Sequence, residues 1–266
     1  MNIGFFYQTG YRYVAAYHAL KQLRKFFPEA PVAMYEDNSY VMEPLSKIFN
    51  CAYNRTQLGG RNDPNSGRPA YDLKTTLAWL DRVYESCNTT LKSTEWVMNF
   101  EDDVWIRRAP LIAPQYDLSG IGGVALKTEL NEFFNFNPPK LLTTYGCGGS
   151  LFNREKFIKA YNDLKTVSWE KVAEFDKRPL EWTDCVLTFM FHNSNFTTGQ
   201  WEDASQYQNR NVTDLGSRSG WPGTNEEIEK AQVRDVAVIH CWKPYYWPTQ
   251  EEINYVDEQI NSISKK

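Results

Sequence analysis

Glu101-Asp102-Asp103 directly follows the apolar run Trp96-Val97-Met98-Asn99-Phe100 and precedes a second one, Val104-Trp105-Ile106. Carboxylates are excluded from such surroundings unless something pairs with them. Two acids one residue apart, as in Glu101-x-Asp103, can turn their oxygens toward one hard divalent cation, which prefers carboxylate and keeps several waters. A cation held there would bridge a diphosphate; a salt-bridged or helix-capping acid cluster is the alternative. His240 closes the apolar run Val236-Ala237-Val238-Ile239, and a neutral imidazole is a further ligand for a manganese-like ion or else a satisfied structural group. Lys243 adds an ammonium that can neutralise a diphosphate as a point charge. Asp184, in Glu181-Trp182-Thr183-Asp184, precedes an apolar stretch at Val186 to Phe191, where an acid in the first helical turn is a routine cap.

The elements that must position these groups follow from hydrophobic period and punctuation. Ile3 to Tyr7 reads as a buried strand stopped by Gln8-Thr9-Gly10. Tyr13, Ala16, Tyr17, Leu20 and Phe27 recur at helical spacing, and Pro31 to Tyr35 forms a second strand ending at Glu36-Asp37-Asn38. Strand, helix, strand is the unit of a parallel sheet, whose ligands bind at the carboxyl ends of strands, so Thr9 and Asp37 are candidates there. Leu73, Leu77, Leu80 and Tyr84 mark a helix with Asp72, Lys74 and Arg82 on its exposed face. Three glycines in Gly146-Cys147-Gly148-Gly149 imply a close approach of a ligand or backbone bent through positive φ. Residues 58–70 read as a long loop, and 203–231 as a polar, mobile one. One domain covers residues 1–248; residues 249–266 form a charged C-terminal helix or tail without an evident anchor.

Composition narrows the function classes. The 266 residues carry 42% hydrophobic and 23% charged side chains, which describes a folded chain rather than a disordered one. A net charge of −4 offers no overall field for polyanions, so nucleic acid is not expected as a partner. The aromatic share of 15% suits flat polar ligands such as sugars or bases as well as packing, and Trp182 and Trp201 are candidates to stack on sugars. Five cysteines without a C-x-x-C pair point to reduced thiols. The chain shows no signal-like start and no transmembrane run, so a soluble, cytoplasmic or otherwise intracellular protein is expected, in which the four Asn-x-Thr sequons carry no meaning.

The strand-helix-strand start with Asp37, the Phe100-Glu101-Asp102-Asp103-Val104 motif of D-x-D type, Gly146-Cys147-Gly148-Gly149-Ser150 and His240-Cys241-Trp242-Lys243-Pro244 together resemble the nucleotide-sugar-dependent glycosyltransferases of the A-type fold. The order and spacing match over most of residues 1–248. The resemblance implies an α/β, Rossmann-like single domain with a mixed, mostly parallel central sheet flanked by helices. It further implies a Mn²⁺ or Mg²⁺ ion held by Glu101, Asp103 and His240, and a nucleoside-diphosphate sugar donor bound by Thr9, Asp37, Lys74, Asp102 and Lys243. Glu101 replaces the usual Asp and reaches one methylene further; Asp102 would face the ribose. A carboxylate of Asp37 can accept the imide N–H of uracil, which favours UDP, although guanine also presents donors. The acceptor is a glycan or another hydroxyl compound. In inverting members a carboxylate at the start of a helix in this region removes the acceptor proton, and Asp184 stands in that place, with Glu181 as substitute; the His-to-Lys segment resembles a retaining branch but is shorter and lacks its Gly. A sugar nucleotidyltransferase fits poorly, because Gln8-Thr9-Gly10-Tyr11-Arg12 is not its Gly-rich segment. A carbohydrate-binding protein without catalysis would leave the acids and His240 without a role.

Overall fold

Apolar runs and amphipathic periods become alternating strands and helices in the computed structural model, which describes residues 1–9, 13–37, 41–56, 61–62, 69–70, 72–207, 235–241 and 250–263. In chain order these are β1 (Ile3–Thr9), α1 (Tyr13–Phe26), β2 (Val32–Asp37), α2 (Glu43–Ile48), β3 (Ala52–Thr56), β4 (Arg61–Asn62), β5 (Pro69–Ala70) and α3 (Leu73–Asn88). There follow β6 (Trp96–Phe100), β7 (Val104–Ile106), β8 (Leu118–Gly120), α4 (Leu130–Phe134), β9 (Leu151–Asn153), α5 (Arg154–Asp163), α6 (Trp169–Phe175) and α7 (Arg178–Glu181). The last elements are α8 (Thr183–Asn193), β10 (Thr198–Gln200), β11 (Ala204–Tyr207), β12 (Val238–Cys241) and a C-terminal helix, Gln250–Ile263.

Among the described residues, seven strands form the central sheet in the order β10-β8-β9-β6-β1-β2-β3. β1 pairs in parallel with β2 on one side and β6 on the other, while β9 alone runs antiparallel to its neighbours β6 and β8. The expected mixed, mostly parallel α/β architecture is therefore what the chain forms. Strand order reverses at β1, and the crevice outside the carboxyl ends at such a switch point is where ligands of open α/β sheets bind. Side chains alternate across the sheet. Phe5 and Tyr7 enter one core with α1 and the small sheet β11-β12-β7, and Phe6 enters the other with α3, α5 and α8. No described helix is long and apolar enough to cross a membrane.

Several sequence expectations are corrected by packing. The C-terminal helix does have an anchor: Val256 and Ile260 are buried, and Asp257 accepts a 2.9 Å hydrogen bond from Tyr13 of α1. Arg82 is buried rather than exposed and donates to Gln8 of β1 at 3.1 Å. The polar stretch 203–231 begins with a strand, β11, whose parallel pairing with β12 uses backbone groups that composition does not reveal; its residues from 208 on lie outside the described ones. Within the long loop 58–70, β4 and β5 pair antiparallel. Cys51, Cys87, Cys147 and Cys185 are free thiols, as expected.

Asp203 holds the small sheet to the rest of the chain. Its buried carboxylate accepts from both terminal nitrogens of Arg108, at 2.7 and 3.1 Å, and from the backbone N–H groups of Leu111, Ile112 and Ala237. Burial by itself would raise this carboxyl group, but Arg108 and the three N–H donors outweigh it and hold the pKa below the ordinary carboxylate value. Asp203→Asn is expected to cost about 3 kcal/mol, because it removes the buried charge that Arg108 and three backbone N–H groups address and leaves Arg108 only the exposed Asp235, 3.4 Å away. The native pKa is depressed, so this contribution is complete above the unfolded carboxylate value of about 3.9 and is lost as pH falls through the native one. Urea denaturation of both proteins at neutral and acid pH checks this: the gap in midpoint should close on acidification.

Candidate functional site

β6 ends at Phe100, level with Tyr7 of β1 across the switch point, and Glu101-Asp102-Asp103 forms the turn leaving it, closed by Val104 N–H on the Glu101 carbonyl at 3.1 Å. Three consecutive acids in a turn cannot all point one way. Asp102 is buried and accepts a hydrogen bond from the Tyr7 hydroxyl, whereas the Glu101 side chain is 36% exposed and that of Asp103 only 12%. Burial first, then the Asp102 carboxylate, push the Tyr7 phenol well above its ordinary value, so it stays a donor. The small sheet supplies the third group. β12 runs antiparallel to β7 with His240 opposite Val104, which brings the imidazole over the acid turn.

One carboxylate oxygen each from Glu101 and Asp103 and one ring nitrogen of His240 lie within 4.8 Å of one another. His240 Nε2 is 3.6 Å from Asp103 Oδ1 and 4.0 Å from Glu101 Oε2. Two carboxylates and an imidazole form a donor set that suits Mn²⁺, or Mg²⁺ with more of its waters retained. Burial opposes charge on His240, but the Asp103 carboxylate beside it prevails and lifts the imidazole well above 6.5. A cation held by these three residues would require the imidazole in its neutral form.

The glycine segment explains how the acid turn meets α8. A Cβ at Gly148 would lie 3.1 Å from Glu101 Oε2, and one at Gly146 would lie 2.7 Å from the Asp184 carbonyl oxygen. Gly146 thus abuts the first turn of α8 only because it lacks a side chain, while at Gly148 a Cβ would crowd the end of the Glu101 side chain. Tyr145 N–H donates to Thr188 Oγ1, which donates in turn to the Asp184 carbonyl, both at 2.9 Å. Asp184 is half-buried in that first turn, and the Thr183 hydroxyl lies 3.3 Å from its Oδ1. Trp182 is 52% exposed just before it, and Glu181 is exposed at the end of α7.

Other residues singled out from the sequence fall in different places. Thr9 is buried at the carboxyl end of β1, and Asp37 is the last residue of β2, at the same edge. Lys74 is exposed on the first turn of α3, a helix tied to α7 by the 2.9 Å hydrogen bond from Thr76 to the Leu180 carbonyl. Trp201 is not available to a sugar: it is fully buried, with its indole N–H on the Ile112 carbonyl at 3.0 Å. Lys243 lies outside the described residues. Asn99 and Tyr7 were not singled out, although the one polar residue inside the apolar run Trp96 to Phe100 was a visible signal.

No family model matches the chain, and neither does any curated protein. Among solved structures it aligns over 98% of its length with the galactosyltransferase LgtC in complex with donor and acceptor sugar analogs, covering 95% of that chain at 13% identity and a TM-score of 0.49. An active-site mutant of LgtC aligns with the same values. The apo bifunctional glycosyltransferase WbbM aligns over 98% of this chain and 49% of its own, at 12% identity and a TM-score of 0.48. Likeness at this level carries no chemistry, which has to come from the side chains themselves.

Proposed function

We propose that the protein is a glycosyltransferase of the A-type fold that moves a sugar from a nucleoside diphosphate, UDP by preference, to a hydroxyl acceptor with inversion. The observation that carries this reading is the convergence of Glu101, Asp103 and His240 at the carboxyl edge of the sheet, one glycine segment away from Asp184. Mn²⁺ or Mg²⁺, when bound by these three residues, neutralises charge on the departing diphosphate. Asp184 takes the acceptor proton as the acceptor oxygen bonds to the anomeric carbon; the bond from that carbon to phosphate oxygen breaks, and its electron pair leaves with the diphosphate. β1 and β2 end at Thr9 and Asp37, at the edge where the nucleoside would sit, and Lys243 is assigned to the diphosphate from sequence order. Trp182 offers an exposed ring beside the base.

Thermal shift with UDP-, GDP- and dTDP-sugars, each with Mn²⁺ and with EDTA, tests the reading, because a ligand that binds only the native state raises apparent stability by mass action. A UDP-sugar is expected to give the largest shift, to require Mn²⁺, and to release UDP on prolonged incubation. Equal shifts in EDTA, or sugar binding without any nucleotide release, would place the protein among carbohydrate-binding proteins instead.

A further inference from the structure

We propose that Asn99 is a positioning residue that fixes Glu101 against the glycine segment and so sets the separation between the acid cluster and the start of α8; this rests on the metal-dependent reading above. Asn99 is a buried amide in the apolar strand β6, where an unpartnered polar group would be costly. Its side-chain nitrogen reaches the Gly146 carbonyl at 3.1 Å and Glu101 Oε1 at 3.4 Å. The two amide hydrogens therefore serve the two sides of the site.

The backbone of Asn99 reinforces this arrangement. Its N–H donates to the Ser150 carbonyl at 2.9 Å, and its carbonyl accepts from Gly149 N–H at 2.7 Å. Residues 146–150 are thus held at both ends by one residue of β6. Gly146, the residue that the side chain holds, is also the one that abuts the Asp184 backbone. Glu101 Oε2 is the oxygen recorded 4.0 Å from His240 Nε2, and Oε1 is the one turned toward the amide. A longer acid in the first position of the motif has more rotamers than Asp, and a donor on Oε1 removes that freedom. Partners that orient a metal ligand in this way are typically worth about 10–100-fold in metal affinity.

The test is calorimetric titration of Mn²⁺ alone into the full chain. Asn99→Ala, and Asn99→Leu, which fills a similar volume without a donor, are expected to bind Mn²⁺ about tenfold more weakly than wild type. Asn131→Ala is the control: Asn131 is also buried and donates to the Thr128 and Lys140 carbonyls at 2.8 and 3.0 Å, apart from the acid turn. That variant should lose stability and keep wild-type Mn²⁺ affinity. Wild-type affinity in a folded Asn99→Leu protein, or an equal loss in Asn131→Ala, would overturn the assignment. Absence of Mn²⁺ binding by the wild-type chain would overturn the metal reading itself and Asn99's role with it.

Discussion

Asp103→Asn is expected to abolish sugar transfer and to weaken Mn²⁺ binding by more than about 100-fold while leaving the fold intact. The substitution preserves volume and removes charge from the residue that lies 3.6 Å from His240 and shares the acid turn with Glu101. An amide oxygen remains, but it is a weaker ligand for a hard cation than a carboxylate. With the carboxylate gone, the largest influence that lifts His240 also goes, leaving Cys147 against burial, and the imidazole shifts toward its neutral form. Circular dichroism should superimpose on that of wild type, and Mn²⁺ titration together with UDP release should both collapse. Turnover that persists in EDTA would show that the cluster holds no catalytic ion.

Asp184→Asn should lower kcat by about 10²–10⁴-fold, the usual worth of a positioned base, with donor KM nearly constant. The argument is positional. Asp184 stands in the first turn of α8, half-buried, behind a glycine segment whose other side touches Glu101, and an exposed Trp182 precedes it. On the proposed reading, a group on this side of the segment would act on the acceptor rather than on the nucleotide. Loss of donor affinity with kcat unchanged would make Asp184 a sugar-binding residue. Product stereochemistry is an independent check, because direct displacement by an activated hydroxyl inverts the anomeric centre; retention observed by NMR would remove Asp184 from the role of base.

Glu101, Asp103 and His240 were legible in the sequence because each sits at the border of an apolar run, where a charged or titratable group must have a reason. Strand ends in a parallel sheet then bring such borders to one edge, as they do for Thr9 and Asp37. β3, β8, β9 and β10 were not legible: β3 is a polar, largely exposed edge strand, and the other three have three residues each, with β9 and β10 borrowing their stability from neighbours far away in the chain. Trp182 and Trp201 show the same limit at a single residue type. Both are tryptophans near polar sequence, yet one is exposed at the start of a helix and the other closed inside the core. Tyr7 and Asn99 matter through partners that only the paired sheet supplies, Asp102 for the first and Glu101 with Gly146 for the second.

The reversal of β9 has a consequence for how this site can diversify. In an all-parallel sheet, only the loops that follow strands arrive at the ligand edge. Because β9 runs against β6 and β8, the segment between β8 and β9 both departs from that edge and returns to it, ending in the glycines that separate Glu101 from Asp184. Residues 121–150 are therefore an excursion whose two ends are pinned side by side; α4 and the buried Leu126, Leu130 and Leu142 anchor it, and between those anchors a change in loop length costs little closure entropy. Insertions there would reshape the rim on the α8 side without altering any strand pairing of the central sheet. On the proposed reading, acceptor preference would vary in evolution or by engineering through this one excursion, while the strands that carry the acid turn and the ends of β1 and β2 stay the same.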